Sequence, residues 1–186
     1  EIPFASDGNI TYDLLIDHIN GELANVLGNL VQRSISMGNK YFDGVVTSNS
    51  VIDDIDFELE TKLKNLEKVV DEKMEELQIN EAITEIFNVL RFTNKYIDET
   101  TPWILAKDDS KRSRLQNVIY HLLESIRVCS LYLEPFMPGT GKEIRKQLHI
   151  SDTSIFYNTS NRYHLGTPSV LFQRIDRDKF FDKNVK

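Results

Sequence analysis

With 186 residues, of which 40% are hydrophobic and 27% charged, the sequence is sized for one folded domain and is unlike a disordered or fibrous chain. Its apolar runs fall well short of the ~20 residues that cross a bilayer, which argues against a membrane protein. The net charge of -7 disfavours nucleic acid, but residues 1–99 carry 8 Lys and Arg against 20 Asp and Glu, whereas residues 100–186 carry 14 against 9 and could face phosphates.

Apolar residues at helical spacing predict a first helix over about 12–38. The glycines within it suggest close approach of other segments: Gly21, Gly28 and Gly38. After a break at Asp43-Gly44, a second helix is expected to begin with Asp53 or Asp54 as its cap. The acidic residues over 53–85 are most simply the solvated face of this helix and the next.

Three further helices are expected. A third begins with Asn80 as its cap and ends near Asp98, before Pro102, and a fourth runs from Asp108 or Asp109 to about Leu133. A short fifth covers Thr140–Leu148. Because no strand alternation stands out, we predict an all-α fold, an antiparallel helix bundle with an irregular C-terminal tail.

No residue pattern predicts a catalytic or metal site. The four histidines are scattered, and the single cysteine, Cys129, lies in an apolar helical stretch where a buried thiol is expected. The paired carboxylates at 53–54 and 108–109 lie where helices begin, so capping accounts for them. With one cysteine, a reducing compartment, the cytoplasm, is the expected location.

Three polar side chains form a row beside the apolar face of the first helix. Asn25, Asn29 and Arg33 follow at intervals of four residues. Amides and a guanidinium can discriminate bases by hydrogen bonding. The alternative is that they pair with neighbouring helices or solvent.

The only tryptophan, Trp103, follows directly behind Pro102 after the third helix. Single-stranded RNA is commonly bound by stacking its bases on aromatic planes. Trp103 could be such a platform, and the alternative is a core residue whose indole N–H donates to a carbonyl.

Five stretches, in order along the chain, resemble methionyl-tRNA synthetases of the bacterial type. They are Ile2–Gly8, Asn20–Arg33 with Lys40-Tyr41-Phe42, Asn94–Trp103, Leu133–Pro138 and Leu171–Asp176. Gln173 departs from the proline that is common in the family. The resemblance implies the C-terminal helical domain that recognises the CAU anticodon of methionine and initiator tRNAs. It also implies six anticodon-binding residues: Asn25, Asn29, Arg33, Asp98, Pro102 and Trp103.

The resemblance also implies a division of the chain. Residues 1–10 would be a remnant of the linker from the catalytic domain, 11–150 the helical bundle, and 151–186 a tail that packs on the bundle or on the catalytic domain. The nucleotide-binding signatures of the family are absent from this sequence. No cofactor is therefore expected here, since ATP and methionine, with zinc as a further candidate, would bind in the catalytic part. We expect a monomer that catalyses nothing by itself.

Two other functions remain open on the sequence. Class I synthetases for leucine, isoleucine, valine or cysteine use similar helical domains, and the row of Asn25, Asn29 and Arg33 together with Pro102-Trp103 distinguishes them. A helical protein-interaction module would instead use the acidic second helix. That function requires no role for Trp103.

Overall fold

The structure, a computed structural model, describes residues 10–151, 153–157 and 162–184, with side chains up to Phe181. The helices are α1 (Tyr12–His18), α2 (Asn29–Phe42), α3 (Asp54–Glu75), α4 (Ile79–Thr100), α5 (Pro102–Leu105), α6 (Arg112–Leu133), α7 (Pro138–Leu148) and α8 (Arg177–Asn184). A π-helical segment, Ile19–Gly28, joins α1 to α2, and a 3-10 turn, Asp109–Lys111, leads into α6. The strands are β1 (Val45–Thr47) and β2 (Arg162–His164). Within the described ranges, no helix is long and apolar enough to span a membrane.

Helix α6 is the centre of the bundle. It is buried along nearly its whole length and packs on α2, α3, α4, α5 and α7. Cys129 on this helix is fully buried, and burial raises the pKa of its thiol, which confirms the expected core residue. The predicted all-α bundle is therefore confirmed, because one buried helix organises the others around a continuous apolar core.

Local signals explain where the helices begin. The backbone N–H of Asp53 donates to Asp56 Oδ2 at 2.9 Å at the start of α3. Asp108 accepts from the Ser110 N–H at 3.0 Å and from its hydroxyl at 2.6 Å, and these bonds lower the pKa of Asp108. The carboxylate pairs are thus helix starts, as predicted. The predicted cap of the third helix is wrong, because α4 begins at Ile79 and Asn80 lies within its first turn.

One part of the predicted first helix is a π-helix and not an α-helix. Residues 19–28 form wider turns, in which the Asn29 N–H donates to the carbonyl of Ala24, five residues earlier. The C-terminal tail contacts this segment: a Cβ on Gly28 would lie 3.7 Å from the ring of Phe172. Gly38 is crowded by Leu165, whereas nothing approaches Gly21 within 4 Å, so the glycine prediction holds at two positions of three.

The chain also contains strands, contrary to the expectation. β1 and β2 pair antiparallel, with Val46 opposite Tyr163. Each strand has only three residues, too few for alternation to be recognised in the sequence. This pairing and α8 mean that the tail is only partly irregular. The predicted linker remnant, residues 1–10, lies outside the described residues except for Ile10.

Asn20 of the π-helical segment binds the tail at Ile175 through two hydrogen bonds. Asn20 donates from Nδ2 to the carbonyl of Ile175 at 2.9 Å, and its Oδ1 accepts the Ile175 N–H at 2.8 Å. Beyond it, Arg177 pairs with Asp17 at 2.5 Å.

Asn20→Ala is expected to release this part of the tail. Two hydrogen bonds are lost, each with a net value of about 0.5–1.5 kcal/mol, while the bundle core is untouched. Amide hydrogen exchange at Ile175 should accelerate about 5- to 150-fold, with the α6 amides unchanged. Asn39→Ala, which removes a single bond to the Gly166 carbonyl, serves as the matched control and should leave Ile175 protected. Unchanged exchange at Ile175 in the Asn20 variant would contradict this account.

Candidate nucleic-acid interface

The row of polar side chains on the first helix lies on the surface. Asn25 belongs to the π-helical segment, and Asn29 and Arg33 belong to α2; all three side chains are exposed. The side chains of Asn25 and Asn29 remain neighbours where the π-helical segment passes into α2, because Asn29 Nδ2 donates to Asn25 Oδ1 at 3.0 Å. This bond leaves the Asn25 amino group and the Asn29 carbonyl available to a ligand.

Helix α4 completes a first cleft beside this row. The cleft has a volume of about 250 Å³, and residues from both helices line it: Asn25, Val26, Asn29, Arg33, Arg91, Asn94 and Asp98. Asn94 fixes the spacing of the helices, since its Nδ2 donates to the Val26 carbonyl at 3.1 Å and to the Leu90 carbonyl at 3.0 Å. Arg91 adds an ion pair with Glu22 at 2.7 Å. We call this space the amide cleft.

A second cleft, the tryptophan cleft, lies on the other side of Arg33. Its volume is about 380 Å³, and its lining residues are Gln32, Arg33, Ser36, Met37, Lys40, Tyr41 and Trp103. Arg33 is therefore common to both clefts. A planar ligand in the tryptophan cleft and a polar edge in the amide cleft can be contacted by one guanidinium.

The turn between α4 and α5 determines the position of Trp103. Thr101 adopts a left-handed conformation, with a φ of 43°, which ends α4 and turns the chain. Pro102 then begins α5, a position that suits its fixed φ and missing N–H. Trp103 is 42% exposed, and its indole N–H makes no hydrogen bond to a described protein atom. The indole is thus not a core residue bonded to a carbonyl.

Two of the charges that line the amide cleft, those of Arg33 and Asp98, are available to a ligand. Among the described residues, neither the Arg33 guanidinium nor the Asp98 carboxylate forms a hydrogen bond or ion pair, although both line the amide cleft. Arg33 can donate and Asp98 can accept, and the amides can do both. The surface thus offers a stacking plane, a planar donor and several acceptors, which suits the edge and face of a nucleotide base.

The structure brings most of the predicted residues together. Four line the amide cleft, and Trp103 lies across Arg33 from them. Pro102 is buried, so the exposed plane is that of Trp103 alone, and Pro102 can act only through the direction it gives to α5. The sequence interpretation missed Arg91 and Asn94. Their spacing with Asp98, at intervals of three and four residues on one helix face, would have indicated them.

A family model for the anticodon-binding domain of tRNA ligases matches residues 56–178. The chain belongs to this family. It is 45% identical to the methionine–tRNA ligase of Clostridium acetobutylicum over 184 residues, which cover 96% of this chain and 29% of the relative. The methionine–tRNA ligase of Bacillus subtilis is 40% identical over 156 residues, which cover 83% and 24%.

The fold of this anticodon-binding domain is also that of a solved relative. The free form of methionyl-tRNA synthetase from Mycobacterium tuberculosis superposes with a TM-score of 0.89 and 29% identity, over 95% of this chain and 37% of that chain. The chain thus spans less than a third of the curated relatives it matches. The predicted family and fold are confirmed. The roles of the six residues in binding remain predictions.

Proposed function

We propose that this domain recognises the CAU anticodon of methionine and initiator tRNAs. The observation that carries the proposal is the position of Arg33, which lies between an exposed tryptophan and a cleft lined by amides and a carboxylate. Recognition of one unstacked base requires a plane for its face and donors and acceptors for its edge, and both lie within reach of Arg33.

We assign the face and the edge of the first anticodon base to different residues. Trp103 would stack on the base, and Arg33 with Asn25 or Asn29 would hydrogen-bond to base edges. Asp98, at the opposite wall of the amide cleft, would support recognition as an acceptor. Pro102 would act by orienting α5.

The longer protein would attach methionine to tRNA, as the names of the relatives indicate, with ATP as the co-substrate that the family resemblance implies. ATP and methionine would bind in its catalytic domain, which would also be a packing partner of this domain. The rival contact surface, the acidic face of α3, is occupied in part by its own ion pairs, Lys62 with Glu58, Lys64 with Glu60 and Lys68 with Glu72. This pairing supports a solvated face there.

The domain should prefer an anticodon stem-loop with CAU over one with UAU by more than tenfold, or about 1.4 kcal/mol. The change from cytosine to uracil replaces an amino donor by a carbonyl acceptor, so the groups that contact the base edge lose a partner. Fluorescence titration of both RNAs at two salt concentrations measures the preference.

A ratio that persists at both salt concentrations separates base recognition from phosphate attraction, since the two RNAs carry the same phosphates. A stem-loop with a leucine or valine anticodon tests the related synthetases in the same titration. Equal affinity for CAU and UAU at each salt concentration would mean that the domain binds RNA without recognising this base, and the proposed function would fail.

A further inference from the structure

The cations around the tryptophan cleft differ from those of α3 and α4. Every lysine and arginine of α3 and α4 pairs with a carboxylate within 4.0 Å. The two cations of α2, Arg33 and Lys40, form no such pair with a described residue, and neither does Arg112 at the start of α6. No carboxylate in the described part of the chain therefore neutralises these three charges.

Lys40 lies at the end of the tryptophan cleft that is remote from the amide cleft, and Arg112 contacts Tyr41, another residue that lines this cleft. Lys40 lines the tryptophan cleft, and its ammonium lies 5.2 Å from the ring centre of Tyr41. Arg112 donates to the carbonyl of Tyr41 at 3.2 Å and lies 4.9 Å from the ring centre of Phe42. Lys40 follows Arg33 by two helical turns, about 10 Å along the axis. A nucleotide held at Trp103 would thus have positive charge on both sides.

The end of α2 accounts in part for the position of both cations, but it does not neutralise their charge. Lys40 lies in the last turn of α2, and Arg112 donates to the Tyr41 carbonyl in that turn, where the helix dipole favours a cation. Arg112 is also the first residue of α6, where the dipole disfavours one. The first turn of α6 contains no acidic residue to offset it. Arg114 in the same turn is neutralised by Asp53 and Asp56, at 2.7 Å and 2.6 Å.

We propose that Lys40 and Arg112 hold phosphate groups of the RNA strand next to the base on Trp103. This inference rests on the proposed function and adds the part of the affinity that does not depend on base sequence. The inference also differs from what the charge count along the chain predicts about phosphate contacts. The basic half of the chain was the expected source of phosphate contacts, but many of its cations are paired, and Lys40 belongs to the acidic half.

Lys40→Gln should weaken binding of the CAU and UAU stem-loops by the same factor and reduce the salt dependence. Each phosphate contact contributes about 0.7–0.9 to the slope of log affinity against log salt, so the loss of affinity between 50 and 200 mM salt should shrink about threefold. The double variant Lys40→Gln with Arg112→Gln should reduce the slope of log affinity against log salt by about twice as much as Lys40→Gln alone. Arg112→Lys keeps the charge and should keep the slope.

Lys142→Gln is the matched control, because Lys142 is exposed on α7, forms no ion pair with a described residue and does not line either cleft. It should leave the slope unchanged. An equal loss of slope in the Lys142 and Lys40 variants would show that only the overall charge matters, and an unchanged slope in the Lys40 variant would exclude the contact; either result overturns the inference. The wild-type ratio of CAU to UAU tests the proposed function separately, since the slope is measurable whether or not that ratio exceeds one. Thermal melting of each variant confirms folding.

Discussion

Arg127→Met is expected to lower the free energy of unfolding by about 3–5 kcal/mol, because it leaves a buried carboxylate without its cation. Arg127 and Glu124 on α6 are both fully buried. Arg127 donates to Glu124 from Nε at 2.9 Å and from a terminal nitrogen at 2.6 Å. Burial by itself would lower the pKa of Arg127, but the hydrogen bonds and charge of Glu124 outweigh it and raise that pKa.

Arg127 also binds the C-terminal tail through hydrogen bonds. The Arg127 guanidinium donates to the carbonyls of Ser154 and Phe156, the latter at 2.5 Å, and the Tyr163 hydroxyl on β2 donates to Glu124. The variant should therefore loosen residues 154–157 and the strand pair as well as the core. For a chain of this size, the loss corresponds to a fall in Tm of roughly 6–20 °C.

Differential scanning calorimetry and chemical denaturation measure the effect of Arg127→Met. Adding Glu124→Gln should restore part of the stability, since the buried charge is then removed and an acceptor for Tyr163 remains, while the bonds to the Ser154 and Phe156 carbonyls stay lost. Arg177→Met is the exposed control: Arg177 pairs with Asp17 at the surface, where an ion pair contributes about 0–1 kcal/mol. A loss below 1 kcal/mol in Arg127→Met would contradict the assigned role of this pair.

Trp103→Ala should weaken binding of the CAU stem-loop by about 1–3 kcal/mol, or about 5- to 150-fold, because one base loses its stacking plane. The preference for CAU over UAU should also shrink, since a base that is not fixed by stacking presents its edge less well to Arg33 and the amides. The thermal stability should change little, because the indole is exposed and forms no hydrogen bond to a described protein atom.

Ile104→Ala is the control for Trp103→Ala. Ile104 is the next residue, is 52% exposed and does not line either cleft, so both affinities should remain within about twofold. Trp103→Phe should retain part of the affinity, since a smaller ring still stacks. Equal weakening by Trp103→Ala and Ile104→Ala would indicate a general disturbance of α5 and would remove the stacking role.

Helices with long apolar periodicity could be predicted from the sequence, because one buried face repeats every three or four residues over many turns. This holds for α3, α4 and α6, with errors of a few residues at ends such as Gln78–Asn80. The π-helical turns at 19–28 could not be predicted, because Ile19, Leu23, Val26 and Leu27 follow the spacing of an α-helix and π-helical turns are rare. The pairing of Val46 with Tyr163 could not be predicted either, since it joins positions that are far apart in the chain.

The sequence by itself determined the bundle, its family and the row of Asn25, Asn29 and Arg33, because these depend on neighbours along one helix. Only the tertiary structure decided that Arg33 lies between two clefts, because α4 and α5 supply the opposite walls. It also decided which cations find no carboxylate partner among the described residues. Counting charges along the chain cannot show this, since an ion pair depends on which side chains the packing brings within a few ångströms of each other.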